Sequence, residues 1–364
     1  MSTFNTPNIE NASGGAPEFS QGLTVGGTAI GSLITMTEYY SQAGEPSSPA
    51  NGAVWWDGTN AYQYMNDAWR ILSLTPPPSP IGGRGLFAAG LFSNTVEYIT
   101  IATPGNATDF GDLTQARNFL ASCSNGNYGL FGGGTVFSDY NIIDYVTIST
   151  PGNATDFGDL TVARDLLSSC SDGVYGLFGG GYPGSSNTNT IDYVTIATTG
   201  NAIDFGDLTE ARRAVAACSD ATYGVFGGGY TTTQVNTIDY VTVATTNNAV
   251  DFGDLTVARL SLTACSDLTY GLFGGGVVSS TQVNTIDYVT IATPGNATDF
   301  GDLTLARSGL AACSDGIKGI FGGGLMNSTD YNIIDYVTIA TPGNATDFGD
   351  LTLARSGLAA CSGD

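Results

Sequence analysis

The sequence predicts an all-β protein: a six-bladed β-propeller preceded by an extended N-terminal arm and a small β-meander. Three observations carry this expectation. Residues 85–364 hold six near-copies of a unit of about 47 residues, and repeats of this length with four short strands each mark a propeller. The tyrosine of the second strand precedes the cysteine by 25 residues in every copy: Tyr98–Cys123, Tyr145–Cys170, Tyr193–Cys218, Tyr240–Cys265, Tyr288–Cys313 and Tyr336–Cys361. The first copy lacks an innermost strand, and the last copy ends just after one.

Taken along the chain, residues 1–35 are rich in Ser, Thr, Asn and Gly and read as an extended attachment arm with one or two short strands. Residues 36–74 read as a small β-rich adaptor module, with strands AVWWD, AYQYM and AWRILSL separated by turn residues. All three tryptophans of the chain lie here, Trp55, Trp56 and Trp69, together with Tyr62 and Tyr64. So short a segment has little core of its own. These aromatic residues are therefore expected to serve attachment to a partner or self-association. Residues 75–81, with TPPPSP, form a stiff proline-rich linker, and the propeller follows over 82–364.

Each repeat opens on a Gly-rich strand: GLFAAG at 85, GLFGGG at 129, 176 and 271, GVFGGG at 224 and GIFGGG at 319. A second strand such as IDYVTIAT, a turn (TPGNAT in several copies), DFGDLT, an Ala-Arg pair and an apolar stretch ending in Cys-Ser follow. Residues 286–314 and 334–362 are identical over 29 positions. The strands are apolar on both faces, as in Ile143, Tyr145, Val146 and Ile148, which suits sheets covered on both sides by neighbours. The glycines allow close backbone approach. A phosphate cradle would need a helix after them, and a polar loop and a strand follow instead. Residues 357–362 are expected to complete the first blade and remove an exposed edge.

With strands named a to d from the axis outward, the unit resembles a kelch blade over about three quarters of the chain. The Gly-rich strand matches b, IDYVTIAT matches c, DFGDL matches d, and the Arg with its apolar run leads into a of the next blade. Phe110, Phe157, Phe205, Phe252, Phe300 and Phe348 stand where kelch has Trp, and Asp-Tyr replaces Tyr-Asp. The resemblance implies a kelch-like architecture and no kelch function.

Arg117, Arg164, Arg212, Arg259, Arg307 and Arg355 are six of ten basic residues, and each follows two acids at fixed spacing, as Asp109 and Asp112 precede Arg117. They are expected to form structural ion pairs with those acids. A Ca²⁺ site on Asp-x-x-Asp is the alternative, though it wants six to eight oxygens. The cysteines occur once per blade in one phase, which favours buried free thiols over disulfides and suits a reducing cytosol. NAT triplets are taken as turn residues.

The chain has no histidine, so Ser-His-Asp and Cys-His arrangements are excluded. The remaining carboxylates recur in every blade. No catalytic residue, metal or cofactor is expected, and no enzymatic activity. A net charge of −23 disfavours nucleic acid and anionic membranes. No apolar run approaches membrane-spanning length, so no membrane insertion is expected. The first basic residue is Arg70, which argues against a secretory signal.

The pattern P-x-x-G-x-V-W-W-D-G-x-N-x-Y-x-Y…W, at 49–69, resembles adaptor modules in structural proteins of tailed bacteriophages, especially those of marine cyanobacteria. TVGGTAI is similar to phrases in phage fibre stems, and the IDYVTIAT…DFGDLT repeats resemble repeats in such virion proteins. The resemblance implies a tail-fibre or spike component of the virion, assembled in the host cytoplasm. Residues 1–74 would anchor it to other virion proteins, as a homotrimer, and the propeller would be displayed for host attachment. A purely structural decoration protein of head or tail, or a cellular kelch-like interaction module, are the alternatives.

All length variation lies between the Gly-rich strand and the tyrosine, where the gap is 13, 16, 17, 16, 17 and 17 residues. These are the b–c loops, which share a side with the d–a connections in an antiparallel blade. Phe137, Tyr140, Tyr182, Tyr230, Gln234, Gln282 and Tyr331 lie on them. Aromatic and amide side chains suit a host glycan or protein, or a neighbouring virion protein. The bland alternative is a set of tolerant solvent loops.

Overall fold

The computed structural model describes residues 83–363 in full and, before them, only the backbone of six short strands. The chain divides into two units, Met1–Ser79 and Pro80–Asp364. In the first, Val54–Trp56, Ala61–Met65 and Ala68–Ile71 pair as the expected antiparallel meander. Tyr39–Ser41 adds a parallel strand beside Val54–Trp56, which the pattern had not suggested. Thr24–Val25 and Thr28–Ala29 form a small hairpin. The roles expected of the Trp55, Trp56, Tyr62, Tyr64 and Trp69 side chains lie outside the described residues.

The second unit is a six-bladed β-propeller of four-stranded antiparallel sheets. Blade 2 runs a Ala121–Ser124, b Tyr128–Gly132, c Ile142–Thr147 and d Thr155–Asp159. Blade 3 is Ser168–Ser171, Tyr175–Gly179, Thr190–Thr195 and Ile203–Asp207; blade 4 is Ala216–Ser219, Tyr223–Gly227, Thr237–Thr242 and Val250–Asp254. Blade 5 is Thr263–Ser266, Tyr270–Gly274, Thr285–Thr290 and Thr298–Asp302; blade 6 is Ala311–Ser314, Lys318–Gly322, Ile333–Thr338 and Thr346–Asp350. Blade 1 joins both ends of the array: Ala359–Gly363 pairs with Arg84–Ala88, followed by Thr95–Thr100 and Thr108–Asp112. The closing strand starts two residues later than the expected 357–362, because Gly357 has φ +69°, a left-handed conformation that a strand does not accommodate.

The core is not central. Buried side chains form clusters, each shared by two neighbouring blades, such as Leu130, Ile143 and Phe157 of blade 2 with Phe178, Val194 and Ile196 of blade 3. The glycines make that contact. A Cβ on Gly132 would lie 2.7 Å from the Phe178 ring of the next blade. At the other end of the same strand, Gly129 lies under the Cys361 sulfur of the preceding blade. All six cysteines are buried free thiols. Burial raises their pKa, that of Cys361 to about 12, so they are not nucleophiles at neutral pH. In strand d a bulge accommodates Phe157 opposite the Ile143–Asp144 step, and its ring meets Tyr145 edge-on at 5.9 Å.

Outer rims are latched as well. Asn153 Oδ1 accepts from the Asp112 N–H at 3.1 Å, and the Ala154 N–H donates to the Asp112 carbonyl at 2.8 Å. Asn106, Asn201, Asn248, Asn296 and Asn344 repeat the side-chain bond at the other joints. The asparagine of the turn therefore joins two blades, beyond shaping its own turn.

The composite blade has extra fasteners. Tyr128, Tyr175, Tyr223 and Tyr270 open strand b in blades 2 to 5, but Arg84 and Lys318 hold that place in blades 1 and 6. Arg84 Nη1 donates to the Ile148 carbonyl of blade 2 at 2.9 Å. Lys318 Nζ donates to the Ile101 and Ala102 carbonyls of blade 1 at 3.1 and 2.8 Å. Two of the few cations thus bridge the joints on either side of the blade that has no covalent continuity between its strands a and b.

Candidate functional site: the loop face

The d–a linkers are fixed by the repeated arginines, though not through the acids expected. Arg117 Nη2 lies 2.9 Å from Asp144 Oδ2, on strand c of the blade the linker enters, and both side chains are 0% exposed. Asp144 also accepts from Thr114 Oγ1 at 2.6 Å and from the Thr114 N–H at 3.2 Å. Arg117 Nη2 donates further to the Phe131 carbonyl. Arg164, Arg212, Arg259 and Arg307 pair likewise with Asp192, Asp239, Asp287 and Asp335. In blade 1 the longer Glu97 takes the aspartate's place, bound by Thr352 and Arg355. Pairing with Asp109 and Asp112 is therefore corrected. Those acids stand on strand d, half-buried or exposed at the rim, while the true partner is 27 residues further on in the following blade. Burial pushes the arginine pKa values down and the partner carboxylate pulls them back. Removing one member of such a pair costs on the order of 3–5 kcal/mol.

Two residues follow each arginine on this face, and the second of them lines the central cavity. The first bridges to the b–c loop: Asn118 to Thr135, Asp165 to Tyr182, Arg213 to Tyr230, Leu260 to Val277 and Ser308 to Leu325. Linkers and b–c loops therefore share one face. The second residue belongs to a closed ring. Phe119, Leu166, Ala214, Ser261, Gly309 and Gly357 each donate a backbone N–H to the carbonyl of the equivalent residue one blade back, at 2.7–3.0 Å. All six have positive φ, between +53° and +69°. For the non-glycines that costs about 1–2 kcal/mol each, offset by the ring. A second closed ring lies further along strand a. Each hydroxyl of Ser124, Ser171, Ser219, Ser266, Ser314 and Ser362 donates to the serine carbonyl of the preceding blade, at 2.6–2.7 Å.

Side chains on this face differ from blade to blade. After the arginine the pairs read Asn-Phe, Asp-Leu, Arg-Ala, Leu-Ser, Ser-Gly and Ser-Gly. Length comparison missed these linker positions because the linker never changes length. Aligning the six copies column by column exposes them.

The expected loop residues take different places. Phe137 is 101% exposed. The Tyr140 and Tyr331 carbonyls accept from the Arg164 and Arg355 N–H groups, so these tyrosines help hold the linkers. Gln234 Oε1 accepts from the Ser279 N–H, tying the loops of blades 4 and 5 at 3.2 Å. Gln282 lies on a short hairpin opposite Val277.

Tyr182 and Tyr230 come together around Arg213, whose guanidinium carbon is 4.6 and 5.1 Å from the two ring centroids. Asn187 Nδ2 donates to the Tyr230 and Thr231 carbonyls at 2.8 Å, joining the loops of blades 3 and 4. Beside them Asp165 is 9% exposed, and its Oδ1 has no hydrogen-bond partner among the described residues. Its pKa is raised to about 6, first by burial and then by Asp139, with Arg213 opposing. The Asp139 carboxylate lies against Gly184 of the blade 3 loop.

Among the described residues no group of three or more His, Cys, Asp or Glu is placed to hold a metal ion. The chain matches no protein-family model and no curated protein.

Proposed function

We propose that this chain is a non-enzymatic virion structural protein of a tailed bacteriophage, of the tail-fibre or spike type. Residues 1–74 anchor it to other virion proteins, and the propeller presents its loop face to a host surface or to a neighbouring virion protein. One observation carries the reading. All length variation and the least repeated side chains share the face of the b–c loops and d–a linkers. The propeller begins on the opposite face, where the Gly83 carbonyl accepts from the Ile101 N–H in the c–d turn at 3.3 Å. The absence of an enzymatic role is inferred from chemistry: the strand c carboxylates are consumed by arginine and threonine in every blade, and the chain has no histidine to act as base.

Replacing Tyr182, Tyr230 and Tyr331 together with Ser tests this. Particles should assemble normally and adsorb to host cells at least tenfold more slowly. Unchanged adsorption by correctly assembled particles would leave the purely structural decoration role in its place.

A further inference from the structure

We infer that the loop face carries one saccharide-binding site, centred between Asp165 and Arg213 over blades 3 and 4, that takes a neutral sugar through a vicinal pair of hydroxyls. This deepens the loop-face proposal and rests on it. Six equivalent positions follow the six buried arginines, and Asp165 and Arg213 are the charged ones; the others are Asn118, Leu260, Ser308 and Ser356. They stand on adjacent blades and have opposite sign. They are near enough for Arg213 to favour the ionised form of Asp165, yet they form no ion pair within 4.0 Å.

Both groups keep hydrogen-bonding capacity that the described residues do not use. Arg213 is braced on the faces of Tyr182 and Tyr230, and its guanidinium donates no hydrogen bond among the described residues. Stacking engages the faces of a guanidinium and leaves its edge donors available. The rings are themselves fixed, since the backbone of Tyr182 pairs with Asp165 and that of Tyr230 with Arg213. Asp165, nine-tenths buried, keeps one carboxylate oxygen without a partner. A buried polar atom left unpaired is costly, and such groups gather where a ligand completes them.

The missing partner is chemically specified. Carboxylates only accept and guanidinium groups only donate. A hydroxyl does both, so two neighbouring hydroxyls satisfy Asp165 with one proton and Arg213 with one oxygen lone pair. An anionic ligand fits less well, because Asp139 and Asp165 outnumber the single cation. Phe137, fully exposed two residues before Asp139, offers an aromatic face for the apolar side of a pyranose.

The test uses the full chain and two immobilised probe sets: neutral hexose oligosaccharides, and oligosaccharides carrying uronate groups. Wild type should bind a member of the neutral set. Arg213→Gln and Asp165→Asn should each weaken that binding at least tenfold, and Ile317→Ser, in an exposed a–b turn on the opposite face, should leave it unchanged. Near-ultraviolet circular dichroism and melting temperature confirm that each variant is folded; Asp165→Asn is close to isosteric and should melt no lower than wild type at pH 8. Binding of neither set, binding confined to the uronate set, or full binding by both charge variants would overturn the site. If Tyr182, Tyr230 and Tyr331 still govern particle adsorption in any of those cases, the loop-face proposal survives without this site. If they do not, both fall.

Discussion

The two faces of the ring are built to similar backbone precision but use their side chains differently. On the face of the a–b and c–d turns, polar side chains are committed to the fold. Asn153 holds the next blade's rim, and Asp172 Oδ1 accepts from the Val174 and Tyr175 N–H groups to shape its own turn. Across the ring, the repeated ties of the loop face are backbone bonds and buried Arg–Asp pairs, with side-chain ties such as those of Asn187 and Gln234 at single joints. Its linkers bridge to the b–c loops, and a closed ring of N–H···O=C bonds encircles the axis. Holding a surface through main chain and buried Arg–Asp pairs leaves its outward side chains free to differ. That division of labour lets a six-fold scaffold carry an asymmetric surface.

The largest break in this arrangement should come from the pairs that fix the linkers. Arg212→Ala would leave Asp239 buried and uncompensated, at a cost of about 3–5 kcal/mol in chemical denaturation. It should also release the linker presenting Arg213 and Ala214, so the loop face of blades 3 and 4 should gain hydrogen exchange before the opposite face does. Next, Gly179→Ala would place a Cβ 2.6 Å from the Phe226 ring. Overpacking of this kind costs about 1–3 kcal/mol, and it acts between blades without favouring either face.

Asp165 contrasts with the committed acids. Its folded pKa of about 6 lies above the ordinary 3.8, so the folded state binds the proton more tightly than the unfolded chain. Its ionised form therefore weakens the fold above about pH 6, and that loss vanishes below about pH 4. Asp165→Asn should raise the denaturation free energy at pH 8 by roughly 1 kcal/mol after allowing for solvent screening. The gain should shrink to nothing as pH falls from 6 to 4, followed by thermal melts across that window. The smallest effect belongs to the most exposed loop residue. Phe137→Ser should change stability by less than about 0.5 kcal/mol, so any loss of binding in that variant reports on contact and not on folding.

Most of the fold was legible in the sequence because a propeller repeats locally. Period, the fixed Tyr–Cys spacing and the complementary chain ends specify blade number, strand order and closure, and the strand limits agree to within three residues. What stayed hidden lies between blades. The Arg117 partner was sought among nearby acids, whereas ring geometry places Asp144, from the next copy, against it. The asparagine latch and the parallel strand Tyr39–Ser41 escaped for the same reason: pattern along a chain does not report neighbours across it. The loop face was visible as length variation. The Arg213 cluster was not, because Arg213 follows an arginine of the repeat and becomes distinctive only once Tyr182 and Tyr230 close on it.

The contrast between the faces is tested most directly by adsorption of two kinds of particle. One carries Tyr182, Tyr230 and Tyr331 replaced with Ser on the loop face. The other carries the exposed turn residues Pro151, Pro294 and Pro342 replaced with Ser on the opposite face. The first should adsorb at least tenfold more slowly than wild type and the second at the wild-type rate; equal rates for the two, or a loss confined to the second, would contradict a working loop face.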